Sequence, residues 1–118
     1  MVLAMSGALS VAQPLQTVVP SATAGFAVMQ NPRAGNCLAC HSVPDAAGKT
    51  VGTQSTFAPP LRGVGSRYPS EILRAWVVDA RQINPQTLMP PFGIDLDNGR
   101  LFNDAQIADV LAALASLQ

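Results

Sequence analysis

Cys37-Leu38-Ala39-Cys40-His41 holds both cysteines and the single histidine of a 118-residue chain. A structural zinc site needs four ligands, and no second cysteine pair or further histidine is available. A thioredoxin-like redox pair would follow a strand in a βαβ pattern, but Asn31-Pro32-Arg33-Ala34-Gly35-Asn36 reads as helix and turn. A plain disulfide would close a very short loop and leave His41 without a purpose. Covalent attachment of haem c uses every part of the run. Two thiols three residues apart on one helical turn reach the two vinyl groups of a protoporphyrin. The next residue then lies under the iron, where its imidazole becomes an axial ligand.

Composition agrees with a cofactor at the centre. The chain has the length of one small domain. Its formal net charge is zero and only 12% of residues are charged, so neither nucleic acid nor an anionic membrane surface is a natural partner. With one Trp, one Tyr and four Phe, large core-filling side chains are few. Ten prolines and nine glycines imply irregular backbone between a few helices, which suits a chain wrapped around a flat disc. No run of about 18 apolar residues exists to span a membrane.

The flanking segments follow in order. Residues 1–12 are apolar and small; Val2 to Leu9 resembles the hydrophobic part of a secretory signal, and Ser10-Val11-Ala12 suits cleavage before Gln13. The basic start of such a signal is missing, since the first positive side chain is Arg33. A truncated signal is the preferred reading and a mere apolar tail the alternative, because haem c attachment takes place outside the cytoplasm. Residues 13–21 read as an extended arm and 22–118 as the folded domain. A first helix begins after Ser21 as N-cap, with Ala24, Val28 and either Phe26 or Met29 inward, and is interrupted at Asn31-Pro32. Residues 42–60 form a loop whose Lys49 is solvated. Ligating histidines pass their second ring N–H to an acceptor that fixes the ring; in Ala58-Pro59-Pro60-Leu61 the candidate is the Pro59 carbonyl, an ordinary turn being the alternative.

Residues 70–81 predict a helix capped by Ser70, with Ile72, Leu73, Trp76, Val77 and Ala80 on one stripe. Trp76 reads as core rather than as a redox mediator. Residues 105–117 predict a closing helix capped by Asp104, with Ile107, Val110, Leu111, Leu114 and Leu117 inward, crossing the first helix. Between them, Asn84-Pro85-Gln86-Thr87-Leu88-Met89-Pro90-Pro91-Phe92-Gly93 is stiffened by prolines, and Asp97-Asn98-Gly99-Arg100 reads as a turn.

A sixth protein ligand, with no second histidine, must be a thioether or lysine. Met1 and Met5 lie in the signal-like segment, and Met29 and Lys49 are close to the His41 side. Met89 is far enough along the chain to reach the opposite face. Prolines at 85, 90 and 91 reduce the entropy lost in holding it. The alternative is a gap-filling core methionine. A His/Met iron has no open position, which describes an electron relay rather than a catalyst; Arg62, Arg67, Tyr68 and Arg74 are candidates to meet the propionates, a plain surface position being the equal alternative for each.

The pentapeptide, the late Met in a Pro-rich loop and the closing helix resemble class I cytochromes c, an all-α fold of three to five helices wrapped around one haem. The runs at 35–41, 59–64 and 84–93 resemble more narrowly the SoxX family, the monohaem subunits of sulfur-oxidising SoxAX cytochromes, over residues 22–117. That resemblance implies covalent haem on Cys37 and Cys40, axial His41 and Met89, and a periplasmic location. It further implies a heterodimer with a SoxA subunit that joins thiosulfate to a cysteine of the SoxYZ carrier, an L-cysteine S-thiosulfotransferase activity. This chain would be its non-catalytic electron acceptor, passing electrons to a soluble cytochrome c. A stand-alone electron shuttle and a haem-based sensor whose Met89 dissociates are the competing readings. Low charge disfavours the shuttle, since such proteins dock through charged rings.

Overall fold

The computed structural model describes residues 7, 19–45, 47–50, 55–95 and 99–118. The signal-like segment, most of the arm, and Asp97 and Asn98 of the expected turn lie outside them. The chain is all-α: helices α1 (Ala22–Gln30), α2 (Val64–Arg67), α3 (Ser70–Asp79) and α4 (Asp104–Ser116), with short 3-10 turns at Cys37–Ala39 and Ala80–Gln82. An isolated antiparallel bridge joins Pro44 to Thr50.

α1 starts where the sequence predicts. The Ser21 hydroxyl accepts from the Ala24 amide at 3.1 Å, satisfying one of the free N–H groups of the first turn. It stops at Asn31, whose extended backbone is what a following proline imposes. The buried face is Gly25, Phe26 and Met29; Ala24 and Val28, expected inward, are only half-buried. Gly25 explains the rotation. A Cβ built there would lie 2.0 Å from the Asp109 carbonyl oxygen and 2.9 Å from Ala113 Cβ, so α1 and α4 touch backbone to backbone at this point. The side chains flanking the contact turn inward with it. The Ser21 amide donates to Asp109 Oδ1 at 2.8 Å, fixing the start of α1 against the same residue of α4.

Two caps differ from the sequence reading. α3 is preceded by Pro69 in the extended region, with no side-chain cap. Proline supplies the fixed φ at the helix entrance, which leaves Ser70 inside the first turn. α4 is capped by Asn103 rather than Asp104: Asn103 Oδ1 accepts from the Gln106 amide at 2.8 Å and Gln106 Oε1 from the Asn103 amide at 2.9 Å. This is a reciprocal capping box. Asp104 sits one residue inside, pairing with Arg100 at 2.7 Å. Asn103→Ala is expected to destabilise the fold by about 1 kcal/mol, read as a lowered urea midpoint; no shift would show that the box contributes nothing.

α3 ends two residues earlier than its apolar period predicts. Asp79 adopts φ −159, ψ 94, which breaks the helix. Leu73, Val77 and Ala80 are buried as expected, whereas Ile72 remains 38% exposed. The core joins Phe26 and Met29 of α1, Leu73 and Val77 of α3, and Ile107, Val110 and Leu114 of α4. Ala113, too small to register in the stripe, is fully buried, while Leu111 is half-buried. Phe92 and Phe102 stack at 4.6 Å between centroids, tying the Met89 loop to the entrance of α4; the Phe102 amide donates to the Phe92 carbonyl at 2.9 Å.

Candidate haem site

The residues after α1 fold back on it. The Gly35 amide donates to the Val28 carbonyl and the Asn36 amide to the Asn31 carbonyl, both at 3.0 Å. Gly35 is packed closely: a Cβ would meet the Val28 carbonyl at 3.0 Å, Phe102 at 3.2 Å and Cys37 Sγ at 3.3 Å. Asn36 takes a left-handed conformation, φ 49, which asparagine tolerates better than most residues. The 3-10 turn begins there, and the His41 amide closes onto the Cys37 carbonyl at 2.8 Å. Cys37 and Cys40 are free, half-buried thiols.

Burial pushes the Cys37 thiol up to about 11, the neighbouring Cys40 adding to the rise and a backbone hydrogen bond opposing it.

The loop at 58–61 runs beside the pentapeptide. The Ala58 amide donates to the Cys40 carbonyl at 2.7 Å and the Leu61 amide to the Ser42 carbonyl at 3.0 Å. Between them the Pro59 carbonyl accepts from His41 Nδ1 at 2.6 Å. A carbonyl can only accept, so the proton is on Nδ1 and the lone pair on Nε2. That is the tautomer a metal-ligating imidazole needs. Arg67 braces this loop, donating to the carbonyls of Pro60 at 3.0 Å and Arg62; no sequence motif marks this role.

One cavity of about 940 Å³ is lined by Cys37, Cys40, His41 and Pro59, and also by Met89. Its size lies at the upper end of ordinary cofactor sites. The remaining wall is largely apolar and includes Phe57, Leu73, Trp76, Val77, Leu101 and Phe102. Trp76 is half-buried and faces this cavity, so its packing role is toward the site. Of the four candidate propionate partners, Arg67 and Tyr68 line the cavity and Arg62 and Arg74 do not. Arg62 instead donates to the Gly48 carbonyl at 2.9 Å. Lys49 is exposed.

Met89 is presented by a chain of turns. Asn84 Oδ1 accepts from the Gln86 amide at 3.0 Å, the Asn84 carbonyl from the Thr87 amide at 3.0 Å, and the Thr87 hydroxyl from the Met89 amide at 3.2 Å. Short polar side chains bonding their own backbone two residues on are typical turn builders. They explain why Asn84 and Thr87 accompany the prolines. Beyond Met89, the Phe92 and Gly93 amides return to the Val77 and Val78 carbonyls of α3 at 3.3 and 3.0 Å.

At the start of the same loop, Asp79 accepts from Arg81 Nε at 2.7 Å, Nη2 at 2.9 Å and the Arg81 amide at 3.2 Å. The Arg81 side-chain hydrogen bonds hold the Asp79 carboxyl below the usual carboxylate range. A depressed folded pKa contributes stability above the unfolded value of about 3.9, lost as pH falls through the folded value. Below about pH 4, the urea midpoint of the native protein should therefore fall more steeply than that of Asp79→Asn. Parallel curves would refute this contribution.

The residues present fit a haem c. Two thiols and a correctly tautomerised imidazole line a slot of suitable volume, together with a thioether on a braced loop. Comparison with known proteins agrees. The cytochrome c family model matches residues 22–118. No curated protein matches. Among solved structures, SoxXA from P. pantotrophus is similar, with a TM-score of 0.74 and 29% identity over 91% of this chain and 88% of that one. No described helix is long and apolar enough to cross a membrane. The chain therefore belongs to the cytochrome c family, as a SoxX-like electron-transfer protein with one covalently bound haem c.

Proposed function

We propose that this chain is the haem c subunit of a periplasmic SoxAX-type complex, with a SoxA-like partner. It accepts the electrons released when thiosulfate is joined to a carrier cysteine on a SoxYZ-type protein. The observation that carries the reading is the likeness to SoxXA across nearly the whole of both chains. The turn-built Met89 loop at 84–93 adds support.

Joining a thiol to thiosulfate forms one S–S bond and releases one proton and two electrons, so an acceptor must be at hand. Cys37 and Cys40 would hold the haem, which when bound would supply a one-electron couple. His41, with Nδ1–H given to the Pro59 carbonyl, keeps its Nε2 lone pair for the iron. Met89 would supply a thioether, a ligand that favours the reduced state. With both of these side chains on the iron, the chain would offer no place for substrate, and its role would be to take electrons singly and hand them to a soluble cytochrome c. The bond-forming chemistry is thus assigned to the partner.

The test is a pull-down from the native periplasm with haem reduction as readout. Co-purification with a larger cytochrome and reduction on adding thiosulfate plus the carrier support the reading. A haem protein that purifies alone and stays oxidised under those conditions would favour the stand-alone shuttle.

A further inference from the structure

We infer that the Asp79–Arg81 pair is a positioning element for Met89, setting where the loop at 79–93 delivers its thioether. The inference rests on the reading of Met89 as an axial ligand. Ala80-Arg81-Gln82 are all good helix formers, and their sequence would extend α3. The chain instead turns at Asp79, which is only 9% exposed and whose carboxylate accepts from the Arg81 amide, Nε and Nη2. A bidentate guanidinium fork is geometrically specific as well as strong. It locks the first turn of the loop onto the end of α3.

The far end of the loop returns to that same helix end through the Phe92 and Gly93 amides. Gly93 is close-packed there, since a Cβ would meet Val78 at 3.0 Å. The loop carrying Met89 is thus closed on one short stretch of α3, by the fork at its start and by two amides at its end. If α3 ran on through Ala80 and Arg81, the turns at Asn84 and Thr87 would shift along and around the helix. Met89 would move with them. Asp79 and Arg81 are positioning residues; neither lines the cavity.

The experiment uses the haem-loaded protein with Asp79→Ala, which removes the break and favours helix, and Arg81→Gln, which removes the fork but keeps the backbone amide. Exogenous imidazole binds ferric iron only when Met89 is displaced, so its apparent affinity reports the open fraction. The half-saturating imidazole concentration is expected to fall about tenfold or more in both variants, and amide exchange at Phe92 and Gly93 to accelerate. Ser21→Ala, which weakens the fold at the start of α1, should leave both readouts unchanged. Unaltered imidazole affinity in both loop variants, or an equal change in Ser21→Ala, overturns the inference. If Met89→Ala binds imidazole no better than the native protein, the axial reading fails, and amide exchange decides alone. Faster exchange at Phe92 and Gly93 in the two loop variants than in Ser21→Ala then upholds the positioning role, and equal exchange overturns it.

Discussion

Met89→Ala is expected to abolish the weak near-infrared charge-transfer band of a Met-ligated ferric haem and to lower the reduction potential by roughly 100 mV or more, since axial ligation sets haem potentials across about 0.8 V. The thioether is a soft ligand that prefers ferrous iron; alanine cannot replace it, and water or hydroxide prefers ferric. The same variant gains an open position, so its reduced form binds carbon monoxide while the native reduced form does not. The alternatives from the described residues are weak. Met29 also borders the cavity, but it is fixed in α1 and packed in the core with Phe26, whereas Lys49 is exposed and outside the cavity wall. An unchanged spectrum in Met89→Ala would remove Met89 from the iron. Tight carbon monoxide binding by the native protein would do so as well, and would favour the sensor reading.

Gly25→Ala is expected to cost about 3 kcal/mol or more, at the upper end of overpacking effects. The new methyl would lie 2.0 Å from the Asp109 carbonyl oxygen, a backbone atom that cannot rotate aside. α1 and α4 must separate, and Phe26, Met29, Ile107 and Val110 lose contact together. A chemical-denaturation midpoint lowered by that amount, at unchanged slope, is the predicted result. A shift below about 1 kcal/mol would mean that the crossing is not tight in solution, since most point mutations centre near that value.

The site was more legible in the sequence than the fold around it, for a physical reason. Covalent attachment dictates chemistry at consecutive positions, so Cys37, Cys40 and His41 announce themselves together. Proline-rich stiffness singles out Met89, which the fold brings to the same cavity wall. Pro59 was legible because a ligating imidazole demands an acceptor, although spacing alone left an ordinary turn equally open. What escaped depends on partners distant in the chain. The rotation of α1 follows from Gly25 meeting α4, and the burial of Ala113 is visible only from the other side of that contact. Asp79 ends α3 through its own conformation and the Arg81 fork, while the surrounding residues favour continuing the helix. The caps were displaced by one position each because Pro69 and Asn103 fit their roles better than the residues after them. Arg67 was named among the cations, but its grip on the 60–62 carbonyls leaves no periodic trace.

The slot at the centre also bears on how the protein holds together. It opens to solvent and is walled by Phe102, Val77 and other apolar side chains, so without the porphyrin these surfaces would meet water. Covering them with a flat apolar ring contributes on the order of 25 cal/mol for each Å² removed from water. The group that gives the site its chemistry is thus also part of its core, and the haem-loaded protein is expected to unfold at a higher urea concentration than the haem-free chain.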